Sequence, residues 1–173
     1  MYTDGSKLDD QTGSGVAVYK GNTEIRAEWY RLPQGTSVFQ AEITAISKAA
    51  EVLTEAADTS MRFVKIFVDS QAAIMALGNT QVRSRAVEEA IDRLNVLADL
   101  VTSVTIVWIP AHKGYEGNER ADVLAKRGSE ETSLDRAVSV RNPVATVKGN
   151  IREGVLKEWR EEWTNSDLSL IHI

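Results

Sequence analysis

The sequence predicts an α/β fold built on a mixed sheet. Three observations lead there. Apolar, β-rich runs alternate with segments of helical spacing along most of the chain. Two of those runs, "YTD" and "RFVKIFVD", close on an aspartate. Near the start, two alternating runs flank Gly21-Asn22, the sequence signal of an antiparallel hairpin.

In order along the chain, residues 1–4 form the opening strand and place Asp4 at its tip, and a polar turn from Lys7 to Ser14 follows. Val16 and Val18, then Ile25, Ala27 and Trp29, alternate with neighbours of a different kind and make the hairpin. "VFQAEITAISKAAEVLTEAA" carries Ile43, Ile46, Ala50, Leu53 and Ala57 at spacings of three and four, an amphipathic helix with Glu42 in its first turn. Residues 63–69 are a second strand ending in Asp69, and Ser70 caps the short helix "SQAAIMAL". Residues 84–101 turn Val87, Ile91, Leu94 and Ala98 to one face of a further helix. "VTIVWIPAH" is a strand that Pro110 stops. "EGNERADVLAKRG" reads as a helix with Asn118 as its cap and Gly128 just past its end. The parallel part of the sheet is therefore expected at 1–4, 63–69 and 104–109. From about Ser129 the texture is polar and aperiodic, a linker, before Val147, Ile151, Val155, Trp159 and Trp163 restore helical spacing. Two domains follow, 1–128 and an extension over 129–173 made of that linker and a C-terminal amphipathic helix.

Composition narrows the chemistry. The chain has 173 residues, 43% hydrophobic and 26% charged, enough to bury a core. It has no cysteine, which excludes disulfides, thiolate nucleophiles and cysteine zinc sites. The two histidines, His112 and His172, cannot by themselves hold a metal, so any metal would sit on oxygen ligands, as Mg²⁺ or Mn²⁺ do. No apolar run is long enough for a bilayer and no export leader is seen, so an intracellular protein of the nucleus or cytoplasm, away from membranes, is expected. A net charge of −5 argues against a broad basic grip on nucleic acid. Residues 1–128 carry 14 Lys and Arg against 17 Asp and Glu. Setting aside the four carboxylates considered next leaves that region near neutral.

Sites in such sheets form beyond the carboxyl ends of parallel strands. Asp4 and Asp69 each end a strand, Glu42 can point back to that edge, and Asp122 follows the third parallel strand. Singly, each is an ordinary turn, cap or solvated helix residue. Together they would repel severely without counterions, so a cluster implies divalent metal.

The ordered set "YTDGS", "QAEI", "VDSQ" and "PAHKGYEGNERADVLA" resembles the type 1 ribonuclease H family over about residues 1–128. The "QAEI" form and the "WIPAHKG…GNERAD" ending most resemble ribonuclease H domains of non-LTR retrotransposon polyproteins. The resemblance implies a ribonuclease H-like fold, a five-stranded mixed sheet of order 3-2-1-4-5 flanked by helices. It implies endonucleolytic cutting of the RNA strand of an RNA–DNA hybrid, to 5′-phosphate and 3′-hydroxyl ends, with two Mg²⁺ ions, or Mn²⁺, held by Asp4, Glu42, Asp69 and Asp122. It makes His112 the mobile histidine. It places substrate contacts at Gly5, Ser6, Gln40, Gln71 and Asn118. It also implies a joined reverse transcriptase domain as partner.

The chain departs from that pattern at several points. Val38 and Phe39 stand where hybrid-binding members carry asparagines, and only Arg83, Arg85 and Arg93 remain of a basic protrusion. Just three residues precede Asp4, so a truncated first strand, and a fragment of a longer chain with Met1 in place of native sequence, are expected. Two other readings differ in class. One is a silent ribonuclease-H-like module that binds beside a polymerase, and the other is a DNA-directed integrase or transposase of the same superfold.

Overall fold

The computed structural model describes residues 1–57, 61–81, 84–140, 152 and 154–161. Over the described residues up to Glu130, five strands and four α-helices follow in the order β1 (Tyr2–Leu8), β2 (Gln11–Lys20), β3 (Thr23–Leu32), α1 (Val38–Ala56), β4 (Phe63–Val68), α2 (Gln71–Leu77), α3 (Arg85–Leu100), β5 (Ser103–Trp108) and α4 (Glu116–Glu130). They make one five-stranded sheet of order β3-β2-β1-β4-β5. β1, β4 and β5 run parallel, and β2 and β3 form the antiparallel flank. The expected fold class and strand order are the observed ones.

The opening strand differs from its expected bounds. It runs on past Asp4 to Leu8, and the span read as a polar turn is mostly ladder, with Leu8 opposite Gln11 and only Asp9-Asp10 between the strands. Asp9 takes a φ of 52°, a left-handed conformation that aspartate tolerates. Gly5, Ser6 and Lys7 have little strand propensity, and it is pairing with β2 that makes them a strand. Toward β4 the strand is short, since only Tyr2 and Thr3 find partners, at Phe67 and Val68. The Phe67 amide donates to the Met1 carbonyl at 2.9 Å, and the Met1 ammonium donates to the Lys65 carbonyl at 2.9 Å. Beyond Met1, between the far ends of β2 and β4, lies a cavity of about 720 Å³ bordered by Val18, Leu53, Phe63 and Val64.

The two faces of the sheet are packed by different means. Val16 and Val18 of β2 and Val64, Ile66 and Val68 of β4 bury against Ile43, Ile46, Ala49 and Ala50 of α1, with Val87, Ala90 and Leu97 of α3 behind. On the other face α4 lies almost directly on β2. A Cβ at Gly15 would stand 2.2 Å from the Ala121 carbonyl oxygen, and one at Gly13 would stand 2.2 Å from the Ser129 amide nitrogen. Glycine is required there because helix backbone occupies the side-chain space.

α1 starts with a reciprocal cap. Gln40 N–H donates to Ser37 Oγ at 3.2 Å, and Ser37 N–H donates to Gln40 Oε1 at 3.0 Å. Ser37→Ala should cost about 1 kcal/mol in urea unfolding, with no change in slope.

Two expectations for α4 need correction. Its N-cap is Tyr115, without a side-chain cap bond, and Asn118 lies inside the first turn. Gly128 is also inside the helix, where the Tyr30 carbonyl oxygen would be 2.4 Å from a Cβ. Both residues look like helix punctuation in sequence, yet both are set by tertiary neighbours.

The polar stretch after α4 packs back on β3. Val138 N–H donates to the Arg31 carbonyl at 2.9 Å, and Arg136 pairs with Glu28 at 2.9 Å while covering the Trp29 ring. The chain divides into two compact units, Met1–Arg141 and Asn142–Ile173. In the second, residues 154–161 are helical and Trp159 is exposed. Arg83, Val147, Ile151, Trp163 and His172 lie outside the described residues. No helix among the described residues is long and apolar enough to cross a membrane.

Candidate active site

Thr3 opposite Val68 is the last pair between β1 and β4, so Asp4 and Asp69 are the next residues on two adjacent parallel strand ends. Their carboxylates meet a third from the helix layer. One oxygen each from Asp4, Glu42 and Asp69 lies within 4.8 Å of the other two. Glu42 stands in the second turn of α1 rather than the first, since the first turn holds no acid. It reaches the strand because Gly5 has no side chain: a Cβ there would sit 2.5 Å from the Glu42 amide nitrogen.

The cluster is largely buried and crowded with acidic groups. Burial, then the Asp69 and Asp122 charges, raise the Asp4 carboxyl to about 7. Burial, then Asp4 and Asp69, raise Glu42 to about 9. The Gly5 backbone N–H opposes both shifts by hydrogen-bonding the ionised forms. Glu42 is 6% exposed, and its Oε2 has no hydrogen-bond partner. A buried, unpartnered carboxylate oxygen among like charges is what a hard divalent cation satisfies, so the residues present fit such an ion.

Asp122, expected as a fourth member, stands at the border. It is close enough to hydrogen-bond and repel Asp4, but its Oδ2 accepts from Lys126 Nζ at 2.6 Å. Asn118 is buried, and its Nδ2 donates to Asp69 Oδ2 at 2.9 Å, which fixes that carboxylate. Its Oδ1 has no partner. Trp108 Nε1 donates to the Asp69 carbonyl at 3.1 Å and anchors the same turn.

The remaining expected residues divide. Gly5 and Ser6 are half-buried beside Asp4 on β1, and Gln71 is exposed at the start of α2, two residues after Asp69. His112 is exposed on the loop before α4, with a φ of 52°. Gln40 is 2% exposed and bound into the Ser37 cap, so this structure gives it a structural place and not an open contact surface. Sequence reasoning missed Lys126 and Trp108. The four-residue spacing of Asp122 and Lys126 was a readable ion-pair signal. The Trp108 bond depends on β4 and β5 lying side by side, which no local pattern reveals.

The raised carboxyls carry a pH consequence. Asp4 and Glu42 bind protons more tightly in the folded chain than at the ordinary carboxylate value of about 4. Folding therefore takes up protons above that value. Their stabilising contribution is complete below about pH 4 and is lost as pH rises toward 7 and then 9. The melting temperature of the metal-free protein should fall between about pH 5 and about pH 8. A divalent cation should restore it mainly at the higher pH. A flat melting profile across that range would contradict the burial of this cluster.

Comparison with known proteins agrees with the geometry. The family model described as RNase H matches residues 1–130. Ribonuclease H1 of Rattus norvegicus is 29% identical over 146 residues, covering 76% of this chain and 50% of that protein. Ribonuclease H1 of Homo sapiens gives the same identity and coverage, 29%, 76% and 50%. The chain thus spans about half the length of these curated relatives. Among solved structures, RNase H1 from Halobacterium salinarum superposes with a TM-score of 0.60 at 20% identity, over 75% of this chain and 95% of that one. LC11-RNase H1 in complex with an RNA/DNA hybrid gives a TM-score of 0.60 at 23% identity, over 75% and 94%. At those identities the structures speak for the fold alone. The match over residues 1–130, on a sheet of this order with three carboxylates drawn together at its parallel strand ends, means that the chain belongs to the RNase H family.

Proposed function

We propose that the protein is a metal-dependent endonuclease that hydrolyses the RNA strand of RNA–DNA hybrids, leaving 5′-phosphate and 3′-hydroxyl ends. The observation that carries this reading is the convergence of Asp4, Glu42 and Asp69 within 4.8 Å, in a chain whose family match spans the cluster. The hybrid bound by LC11-RNase H1 supports the substrate class.

Asp4, Glu42, Asp69 and Asp122 are the residues that would hold the Mg²⁺ or Mn²⁺ ions. Bound ions supply Lewis acidity at the scissile phosphate. The protein's part is positional. Asn118 holds the Asp69 carboxylate in one orientation. The Gly5 N–H favours the ionised Asp4 and Glu42 that a cation needs. His112, exposed on its loop before α4, is the candidate proton carrier of the site. Ser6 on β1, beside Asp4, and the exposed Gln71 at the start of α2 are the candidate polar contacts to the 2′-hydroxyls that separate RNA from DNA. The motifs that carry this reading lie within 1–128, and the compact unit that holds them runs to Arg141. The "QAEI" and "WIPAHKG" forms support an origin in a retrotransposon polyprotein, with a joined reverse transcriptase supplying affinity for the hybrid.

The deciding experiment compares matched RNA–DNA, all-DNA and all-RNA duplexes with Mg²⁺, for the protein and for Asp69→Asn. Cutting confined to the hybrid and lost in Asp69→Asn is the expected result. An intact hybrid that is nonetheless bound would make this a silent module, and cutting of the all-DNA duplex would make it a DNA nuclease.

A further inference from the structure

We propose that Lys126 is a resident counter-cation that occupies the Asp122 carboxylate at the border of the three-carboxylate cluster and must be displaced when a cation loads on the Asp4–Asp122 side. The proposal rests on the nuclease reading and adds a control element to that site.

The four acidic groups are not held alike. Asp69 is fixed by Asn118 at 2.9 Å, and Asp4 and Glu42 are buried at 8% and 6% exposure. Asp122 alone has its oxygen on an ammonium, at 2.6 Å, and its side chain is 21% exposed. The helix beneath it already lies closely against the sheet. The backbone of α4 would meet a Cβ on Gly15 at 2.2 Å, and the Tyr2 ring would meet one on Gly117 at 2.1 Å. Asp122 therefore changes partner by rotating its side chain, which its exposure allows. Lys126 is free to let go. Its side chain is 57% exposed, so a released ammonium is solvated at little cost.

The pairing has a purpose in electrostatic terms. Asp122 already repels Asp4, and without Lys126 that repulsion would stand uncompensated in the cation-free protein. A lysine suits an exchangeable pair better than arginine, whose planar fork holds a carboxylate with two bonds. An ammonium retained beside the cluster would weaken the binding of an incoming divalent ion by roughly three- to tenfold.

Calorimetric titration of Mg²⁺ and Mn²⁺ tests this on the full chain and on Lys126→Gln, Lys126→Arg, Asp122→Asn, and Asp122→Asn with Lys126→Gln. Lys126→Gln should tighten the weaker binding step by roughly three- to tenfold. It should lower the cation concentration that half-saturates hybrid cleavage by the same factor. Lys126→Arg should bind as the parent or more weakly. In the Asp122→Asn background, Lys126→Gln should change affinity by less than about twofold, since the coupling partner is gone. An unchanged or weaker affinity in Lys126→Gln, with its fold intact by melting, overturns the proposal. So does an effect that survives in the Asp122→Asn background, because it would reflect a general field. A parent protein that binds no divalent cation and leaves the hybrid uncut would instead bring down the nuclease reading, and this inference with it.

Discussion

Asp4→Asn is expected to abolish hybrid cleavage and, in the same molecule, to raise the melting temperature of the metal-free protein. The first effect follows from position. Asp4 is the carboxylate that borders Glu42, Asp69 and Asp122 alike. Removing its charge takes a ligand from any ion in the cluster, and a loss of about a thousandfold or more is the scale for one electrostatic element of a reacting centre. The second effect follows from the same crowding. The Asp4 carboxyl is raised to about 7 by burial and by Asp69 and Asp122, so its ionised form is a burden on the fold at neutral pH and above. A neutral isostere lifts that burden, by on the order of 2 kcal/mol at about pH 8. Cleavage assays beside thermal melts in a chelator would show both. A melting temperature that drops in Asp4→Asn would mean the charge is compensated in a way the structure does not show.

Gly15→Ala should produce a large loss of stability from one methyl group. Its Cβ would come 2.2 Å from the Ala121 carbonyl oxygen and 2.5 Å from the Ala125 amide nitrogen, both backbone atoms of α4. Neither can turn aside, so the helix itself must lift from the sheet, at about 3 kcal/mol. That helix carries Asn118 and Asp122, and its displacement should cost cleavage even in molecules that remain folded. Gly154→Ala is the matched control. Nothing lies within 4 Å of a Cβ there, and the residue sits in a helix of the second compact unit, so the main unfolding transition should not move. Equal destabilisation by both changes would refute close helix-on-sheet packing as the cause.

Much of this architecture could be read from the chain because local and long-range signals agreed. The helix over Val38–Ala56 has a strong apolar stripe, and Phe63–Val68 and Ser103–Trp108 are short β-branched runs that end where their aspartate or proline says they should. The carboxylates were legible because strand ends and motif order both pointed to one edge. Sequence reading failed where a neighbour sets the conformation. Lys7, Leu8 and Gln11 to Ser14 read as turn but are strand because β1 and β2 pair there. Gly128 reads as a helix stop but is a contact point for Tyr30. Asn118 reads as a cap but serves Asp69 from another element. Gln40, expected at the substrate, has its side-chain oxygen bound into the helix start, a contact only the fold shows. In each case the residue type was informative, but its partner lay far away in sequence.

The sheet is stitched unevenly. β1 meets β2 over seven pairs but β4 over two, and both of those lie beside Asp4. Breathing motions of the β1–β4 seam should therefore start at the opposite rim, where amide protons of Phe63 and Lys65 exchange with solvent sooner than that of Phe67, which is bonded to Met1. Such a gradient lets one end of the domain loosen while the acidic end keeps its shape.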